Sequence, residues 1–158
     1  MRNYQASIKT PFAHLGLRFR DNQLTAIDFI ESDKEIKPCN KTAASVCNQI
    51  IRYIESPQAD TAFEIICSLQ GTPFQKKVWN ELKQIPPGKV VTYGQLAKKL
   101  GTSARAVGNA CRKNPIPLVI PCHRVVSTNG IGGYAGHTQG GLLQVKSWLL
   151  QHEGVVVS

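Results

Sequence analysis

Apolar and polar residues alternate in the first part of the chain and change to a helical period later. Leu15, Leu17 and Phe19 alternate, Asp21-Asn22 offers a turn, and Ile27 and Phe29 alternate on the return, which predicts a hairpin over residues 12–30. Tyr4–Lys9 reads as a strand before it. Val46, Ile50, Tyr53 and Ile54 recur at helical spacing within 42–55, and Ala62–Cys67 reads as a short apolar strand. This half has the pattern of a small α/β unit with no cluster of catalytic residue types, so it reads as a scaffold.

Gln70-Gly71 marks a boundary, and the period beyond it is helical. Thr72-Pro73-Phe74-Gln75 combines a capping Thr, a Pro at the first helical position and a Gln able to reach back to the free amide. Phe74, Val78, Leu82 and Ile85 then form one apolar stripe, which Pro86-Pro87-Gly88 ends. Leu142, Val145 and Leu149 predict a last helix over about residues 142–151, with Gly154 as its terminator. Thr92 and Gln95 form a second capping box, Gly101 supplies a tight turn and Ser103 caps a further helix. Ala97, Leu100, Val107 and Ala110 are spaced to pack those two helices together, which predicts a helix-turn-helix over about 92–112.

Composition narrows the partner. With 42% hydrophobic and 18% charged residues in 158, the chain has the makeup of a globular protein and not of a disordered one. No apolar run approaches the ~20 residues of a membrane span, and no secretory leader is evident, so a soluble intracellular protein with no membrane partner is expected. The net charge of +9 is uneven: residues 1–70 balance, while 71–158 hold eleven Lys and Arg against Glu81 and Glu153 alone. Such one-sided charge suits a polyanion, and it suits a basic solubility surface equally well. The second helix of the pair offers Ala104, Ala106, Gly108 and Ala110, side chains too small to read base edges but suited to close approach. Arg105 stands out among them as a cation able to enter a groove or a gap in a base stack. Lys98, Lys99, Arg112 and Lys113 read as solvated charges able to meet phosphates.

Five cysteines cannot all pair within one chain, and the closest spacing, Cys39 to Cys47, is not that of a zinc site, so no disulfide framework and no metal are expected. Only Cys122 has reactive neighbours. In Asn114-Pro115-Ile116-Pro117-Leu118-Val119-Ile120-Pro121-Cys122-His123-Arg124-Val125, a stiff apolar run delivers a thiol beside a histidine and an arginine. Positive neighbours and an imidazole lower a thiol's pKa, which is what a nucleophile requires. Adjacent strand residues point apart, so a Cys122–His123 contact requires a turn or helical geometry. Glu153, at the predicted end of the last helix, is a candidate to orient the imidazole, and something cationic should offset it there. Glu81 reads as solvent-facing.

Pro121-Cys122-His123-Arg124-Val125 follows Arg105-Ala106-Val107-Gly108 and Asn114-Pro115. It precedes Gly133-Tyr134-Ala135-Gly136 and Trp148-Leu149-Leu150-Gln151-His152-Glu153-Gly154. In this order the motifs resemble the O6-alkylguanine-DNA alkyltransferase family over about residues 71–154, while 1–70 match in length and pattern only. The resemblance implies an α+β fold: a small ribonuclease-H-like α/β N-terminal domain over 1–70, and a mostly helical C-terminal domain over 71–158 containing the helix-turn-helix. It implies that Thr92, Ser103, Arg105, Ala106 and Gly108 meet the minor groove of double-stranded DNA, with Arg105 replacing a flipped-out O6-alkylguanine. Tyr93 would rotate the phosphate and donate to guanine N3. Cys122 would take the alkyl group irreversibly, once per molecule and with no cofactor. His123 would deprotonate the thiol through water, Glu153 would hold the imidazole, and Asn114 and Arg124 would brace the site. Backbone groups at Val125 and Ala135, with Tyr134 beside them, would bind the base.

His137-Thr138-Gln139-Gly140 departs from the family pattern as an insertion before the last helix. The retained Cys122 argues against the alkyltransferase-like proteins that only bind lesions. Two other classes stand beside a stoichiometric repair protein: a non-catalytic helix-turn-helix lesion binder, for which Cys122 would be dispensable, and a cysteine hydrolase, which would turn over. The short chain without a basic tail favours a bacterial cytoplasm, at the nucleoid. Alkyl-group preference and association with other copies along DNA are left open.

Overall fold

The protein, a computed structural model describing residues 3–57, 63–133 and 141–156, divides into two compact units, residues 1–70 and 71–158. The fold is α+β. In the first unit β1 (Ala6–Lys9), β2 (His14–Arg20) and β3 (Gln23–Ile30) form an antiparallel sheet in that order, and α1 (Lys41–Glu55) packs against β1. Asp21 and Asn22, at φ 51° and 61°, make the two-residue turn between β2 and β3; both positions call for a left-handed backbone, which Asp and Asn tolerate. Leu15, Leu17, Leu24 and Ile27 of the sheet and Val46, Ile50 and Tyr53 of α1 are buried. Asn40 caps α1 by accepting the Ala43 amide at 2.9 Å.

The strand expected over 62–67 is not formed by residues 63–67. Cys67 makes one parallel bridge to Leu24, and Gln49 holds Glu64 instead, accepting its amide at 2.7 Å and donating to its carbonyl at 3.2 Å. Ile66 is 71% exposed, so the apolar run has no buried face to report.

The second unit contains α2 (Pro73–Leu82), β4 (Val91–Thr92), α3 (Tyr93–Leu100), α4 (Ala104–Arg112), a 3-10 turn (Cys122–Arg124), β5 (Val125–Val126) and α5 (Gly141–His152). Both expected capping boxes are present: Thr72 and Gln75 open α2, and Thr92 and Gln95 open α3. Val78, Leu82 and Ile85 of the α2 stripe are buried, but Phe74 lies in the exposed first turn and Trp79 enters the core in its place. The indole donates to the Ala110 carbonyl at 2.8 Å, tying α2 to α4. Gly101, at φ 68°, ends α3 and turns the chain into α4, which Ser103 caps through the Ala106 amide at 3.1 Å. These two helices pack as the expected helix-turn-helix.

β4 and β5 pair in parallel, Val91 with Val125 and Thr92 with Val126. That short ladder sets the start of the helix-turn-helix beside the chain leaving Cys122. Among the described residues no helix is long and apolar enough to cross a membrane.

Candidate active site

The approach to Cys122 is built from constrained backbone. Leu118 is buried and left-handed at φ 73°, a conformation that costs a non-glycine residue roughly 1–2 kcal/mol and persists only where the surroundings enforce it. Pro121, at φ −81° and ψ 67°, forms an inverse γ-turn closed by the Cys122 amide on the Ile120 carbonyl at 2.8 Å. The proline ring already fixes the φ this turn demands. The 3-10 turn follows at once and supplies the non-strand geometry that a Cys–His pair requires.

Asn114 is oriented from both ends. Its Oδ1 accepts the Ile116 amide at 3.0 Å, so its Nδ2 faces inward and donates to the Ile120 carbonyl at 2.8 Å. Cys122 is buried, and here the structure corrects the sequence reading. Burial pushes the thiol above its ordinary range, and the Asn114 hydrogen bond and the Lys146 charge pull it back only in part. The free protein therefore stores a thiol, which would need a base to take its proton before it could act as a nucleophile.

His123 is fully buried, and burial holds its imidazole below the ordinary range despite the Glu153 hydrogen bond, so the ring is neutral at pH 7. Nε2 meets Glu153 Oε2 at 2.8 Å, while Nδ1 has no partner among the described residues. With Nε2–H donating to the carboxylate, the Nδ1 lone pair is the one able to accept a proton.

Glu153 is the last residue before left-handed Gly154 (φ 87°), where α5 closes with Gly154 N–H on the Gln151 carbonyl and Val155 N–H on the Leu150 carbonyl. Arg124 donates to it twice, Nε to Oε1 at 2.9 Å and Nη2 to Oε2 at 2.7 Å, and donates from Nη1 to the Ile85 carbonyl. Burial raises the carboxyl's pKa, but the His123 and Arg124 hydrogen bonds outweigh it and hold the group well below the carboxylate range. The expected cationic compensation for an anion at this helix end is Arg124.

Tyr93, the first residue of α3, is half-buried, and its hydroxyl donates to the Gly133 carbonyl at 3.5 Å. Gly132 is left-handed at φ 76°, and a Cβ there would lie 2.9 Å from the Tyr93 ring. The Val125 amide closes the 3-10 turn on the Cys122 carbonyl, and its own carbonyl accepts from Lys146 at 2.7 Å. Tyr134 and Ala135, with the 137–140 insertion, lie outside the described residues. Thr92 and Ser103 serve as helix caps, Arg105 is exposed near the start of α4, and Ala106 and Gly108 are half-buried on that helix. The arginine is thus on the surface, apart from the buried Cys122–His123–Glu153 group. Lys98, Lys99, Arg112 and Lys113 are exposed as well. Glu81 is partly exposed, as expected, and pairs there with Lys99, joining α2 to α3. Among the described residues no group of three His, Cys, Asp or Glu side chains is placed to hold a metal ion.

One residue escaped the sequence reading. Lys146 of α5 is fully buried, donates to the Val125 carbonyl at 2.7 Å and the Gly133 carbonyl at 2.9 Å, and lies 5.7 Å from the Tyr93 ring centroid. The available signal was position: it follows buried Val145 and sits seven residues before Glu153, two helical turns along one face.

The family model described as 6-O-methylguanine DNA methyltransferase, DNA binding domain, matches residues 73–155, and so includes Cys122, His123, Arg124, Lys146 and Glu153. The methylated-DNA–protein-cysteine methyltransferase of Metallosphaera sedula is 35% identical over 148 residues, 94% of this chain and 91% of that one. This chain belongs to the methylated-DNA–protein-cysteine methyltransferase family. The Shigella flexneri methyltransferase of the same name is 53% identical over 90 residues, and that match covers 55% of this chain and 50% of its relative. A solved structure of the Mycobacterium tuberculosis OGT in complex with DNA superposes with a TM-score of 0.76 at 32% identity, covering 93% of this chain and 90% of that one.

Proposed function

We propose that this methyltransferase repairs O6-alkylguanine in double-stranded DNA by moving the alkyl group to its own Cys122, once per molecule. The observation that carries the reading is the buried thiol beside a neutral imidazole whose far nitrogen is held by Glu153. His123 Nδ1 accepts the thiol proton through a water, and the Glu153 carboxylate stabilises the imidazolium that forms. The thiolate attacks the alkyl carbon, the S–C bond forms as the C–O6 bond breaks, and guanine leaves with its electron pair. The proton returns to the base at N1, so thiol and alkylguanine become thioether and guanine with no cofactor. Tyr93 donates to guanine N3 and so stabilises the leaving anion. A thioether has no route back, which makes the reaction stoichiometric.

The small side chains of α4 support docking in the minor groove, with exposed Arg105 filling the stack left by the extruded base. Val125 and Ala135 backbone groups, with Tyr134, hold the base, while Asn114 and Arg124 keep the thiol and the carboxylate in place. The named relatives are bacterial and archaeal, which supports action on a chromosome in the cytoplasm.

The deciding experiment is intact mass with peptide mapping after mixing the protein with an equimolar duplex holding one O6-methylguanine. One methylene increment on the peptide containing Cys122, absent in Cys122→Ser, is the expected result. Tight binding with no increment would make the protein a lesion binder, and repeated turnover would make it a hydrolase.

A further inference from the structure

A buried lysine needs a reason, because burial penalises its charge and a methionine would fill the same space without that cost. Lys146 makes three contacts that point to one place. Its Nζ donates to the carbonyl of Val125, the residue that follows the 3-10 turn, and to that of Gly133, the last described residue before the 134–140 segment. Its Nζ lies 5.7 Å from the centroid of the Tyr93 ring, within the reach of a cation–π contact. Tyr93 donates to the same Gly133 carbonyl. Two chain segments and an aromatic side chain are thus gathered around one ammonium, on the helix whose end carries Glu153.

We propose that Lys146 is a positioning residue for alkyl transfer: its ammonium pins the Val125 and Gly133 carbonyls and the Tyr93 ring, and so sets the pocket that presents the alkyl carbon to Cys122. The inference rests on the alkyl-transfer reading. It makes α5 the source of both charges that serve the thiol, Lys146 on one side and Glu153 on the other.

The arrangement works only while Lys146 is charged. The titratable groups facing it are Tyr93 from α3, Cys111 from α4, and Cys122 and His123 from the turn. Burial brings the lysine down to about 8, against the pull of the two thiols. Burial pushes Cys111 up to about 12 and raises both Cys122 and Tyr93, and His123 is already neutral. Lys146 is therefore the first of this group to lose its charge as pH rises. Neutral, it keeps two N–H bonds and gives up the cation over the ring.

The test is the single-turnover rate of thioether formation on an O6-methylguanine duplex, followed from about pH 6 to about pH 10, with DNA affinity measured separately. Lys146→Met should lower the rate about 100-fold at neutral pH, the scale of a misplaced reacting group, and leave DNA affinity unchanged. The unsubstituted protein should lose rate above about pH 8, and Lys146→Met should lack that limb. Lys146→Ala should recover rate when n-propylamine, which replaces the missing chain and ammonium, is added. A Lys146→Met rate within about threefold of the original, or no recovery with the amine, overturns the proposal. Should either variant fail to fold, the unsubstituted protein still decides: a rate rising beyond about pH 9 overturns it. Absence of any methyl on Cys122 in the unsubstituted protein refutes alkyl transfer itself, a result distinct from all of these.

Discussion

His123 and Glu153 meet through one hydrogen bond of 2.8 Å, and the oxygen that makes it, Oε2, also accepts Nη2 of Arg124 at 2.7 Å. One carboxylate oxygen thus orients the imidazole and neutralises a buried guanidinium. Removing the charge separates these duties. In Glu153→Gln the amide cannot compensate Arg124, and breaking a buried pair from one side costs about 3–5 kcal/mol. Urea unfolding at pH 7 should show a loss of that size, and a loss below about 1 kcal/mol would mean that the pair contributes little.

Acid should act through the same residues. His123 has a folded pKa below its unfolded value near 6.5, so the unfolded chain binds the proton first, and stability falls as pH drops through that value toward the folded one. Glu153 is also depressed, so its contribution is present above the unfolded carboxyl pKa and is lost as pH falls through the folded value. The two effects have one sign and act in sequence. The urea midpoint should decline from pH 7 to pH 5, and His123→Asn should show a smaller decline over that interval; an equal decline in both would assign it to other groups.

Several features were open to a reader of the sequence because they depend on a few neighbouring residues. Thr72 with Gln75, Thr92 with Gln95, Asp21-Asn22 and Gly154 each encode a local geometry that the fold leaves intact. Burial is a property of the packed molecule, and it is what the sequence concealed. The Cys122 thiol is raised because it is desolvated, although its sequence neighbours argue for the opposite. Lys146 resembles any helix lysine until the carbonyls of Val125 and Gly133, far from it along the chain, close around it. Residues 63–67 carry a strand's apolar pattern, but their strand pairing is limited to the Cys67 bridge to Leu24.

Gly132 makes the placement of Tyr93 testable without touching the thiol. An alanine Cβ would lie 2.9 Å from the ring and 3.2 Å from the hydroxyl, at a backbone φ of 76° that alanine rarely adopts. Gly132→Ala should displace Tyr93 and slow alkyl transfer about 100-fold. Iodoacetamide labelling of Cys122 should keep its rate. Slowed labelling would show that the substitution had disturbed the whole site.

If Arg105 replaces an extruded base, it matters only where there is a stack to fill. Arg105→Ala should slow repair of O6-methylguanine in duplex DNA far more than reaction with free O6-benzylguanine. Equal slowing on both would remove that role.

Glu81 holds one of nine exposed cations that the second unit presents, which allows an acid to weaken DNA binding from the surface. Glu81→Gln should release Lys99 and tighten nonspecific duplex binding at low salt. It should also steepen the slope of log affinity against log salt by up to about one. An unchanged slope would place Lys99 away from the phosphates.

On the proposed alkyl-transfer reading each molecule acts once, and must reach its substrate unreacted. The cell is full of small oxidants and electrophiles, and these attack thiolates wherever solvent can carry them. Cys122 is buried and protonated at rest, whereas Cys39 lies exposed on the other unit. On that reading, the raised thiol that makes for a poor nucleophile in isolation gives the molecule a long waiting time: its reactivity would be withheld until a base pair is opened and His123 takes the proton.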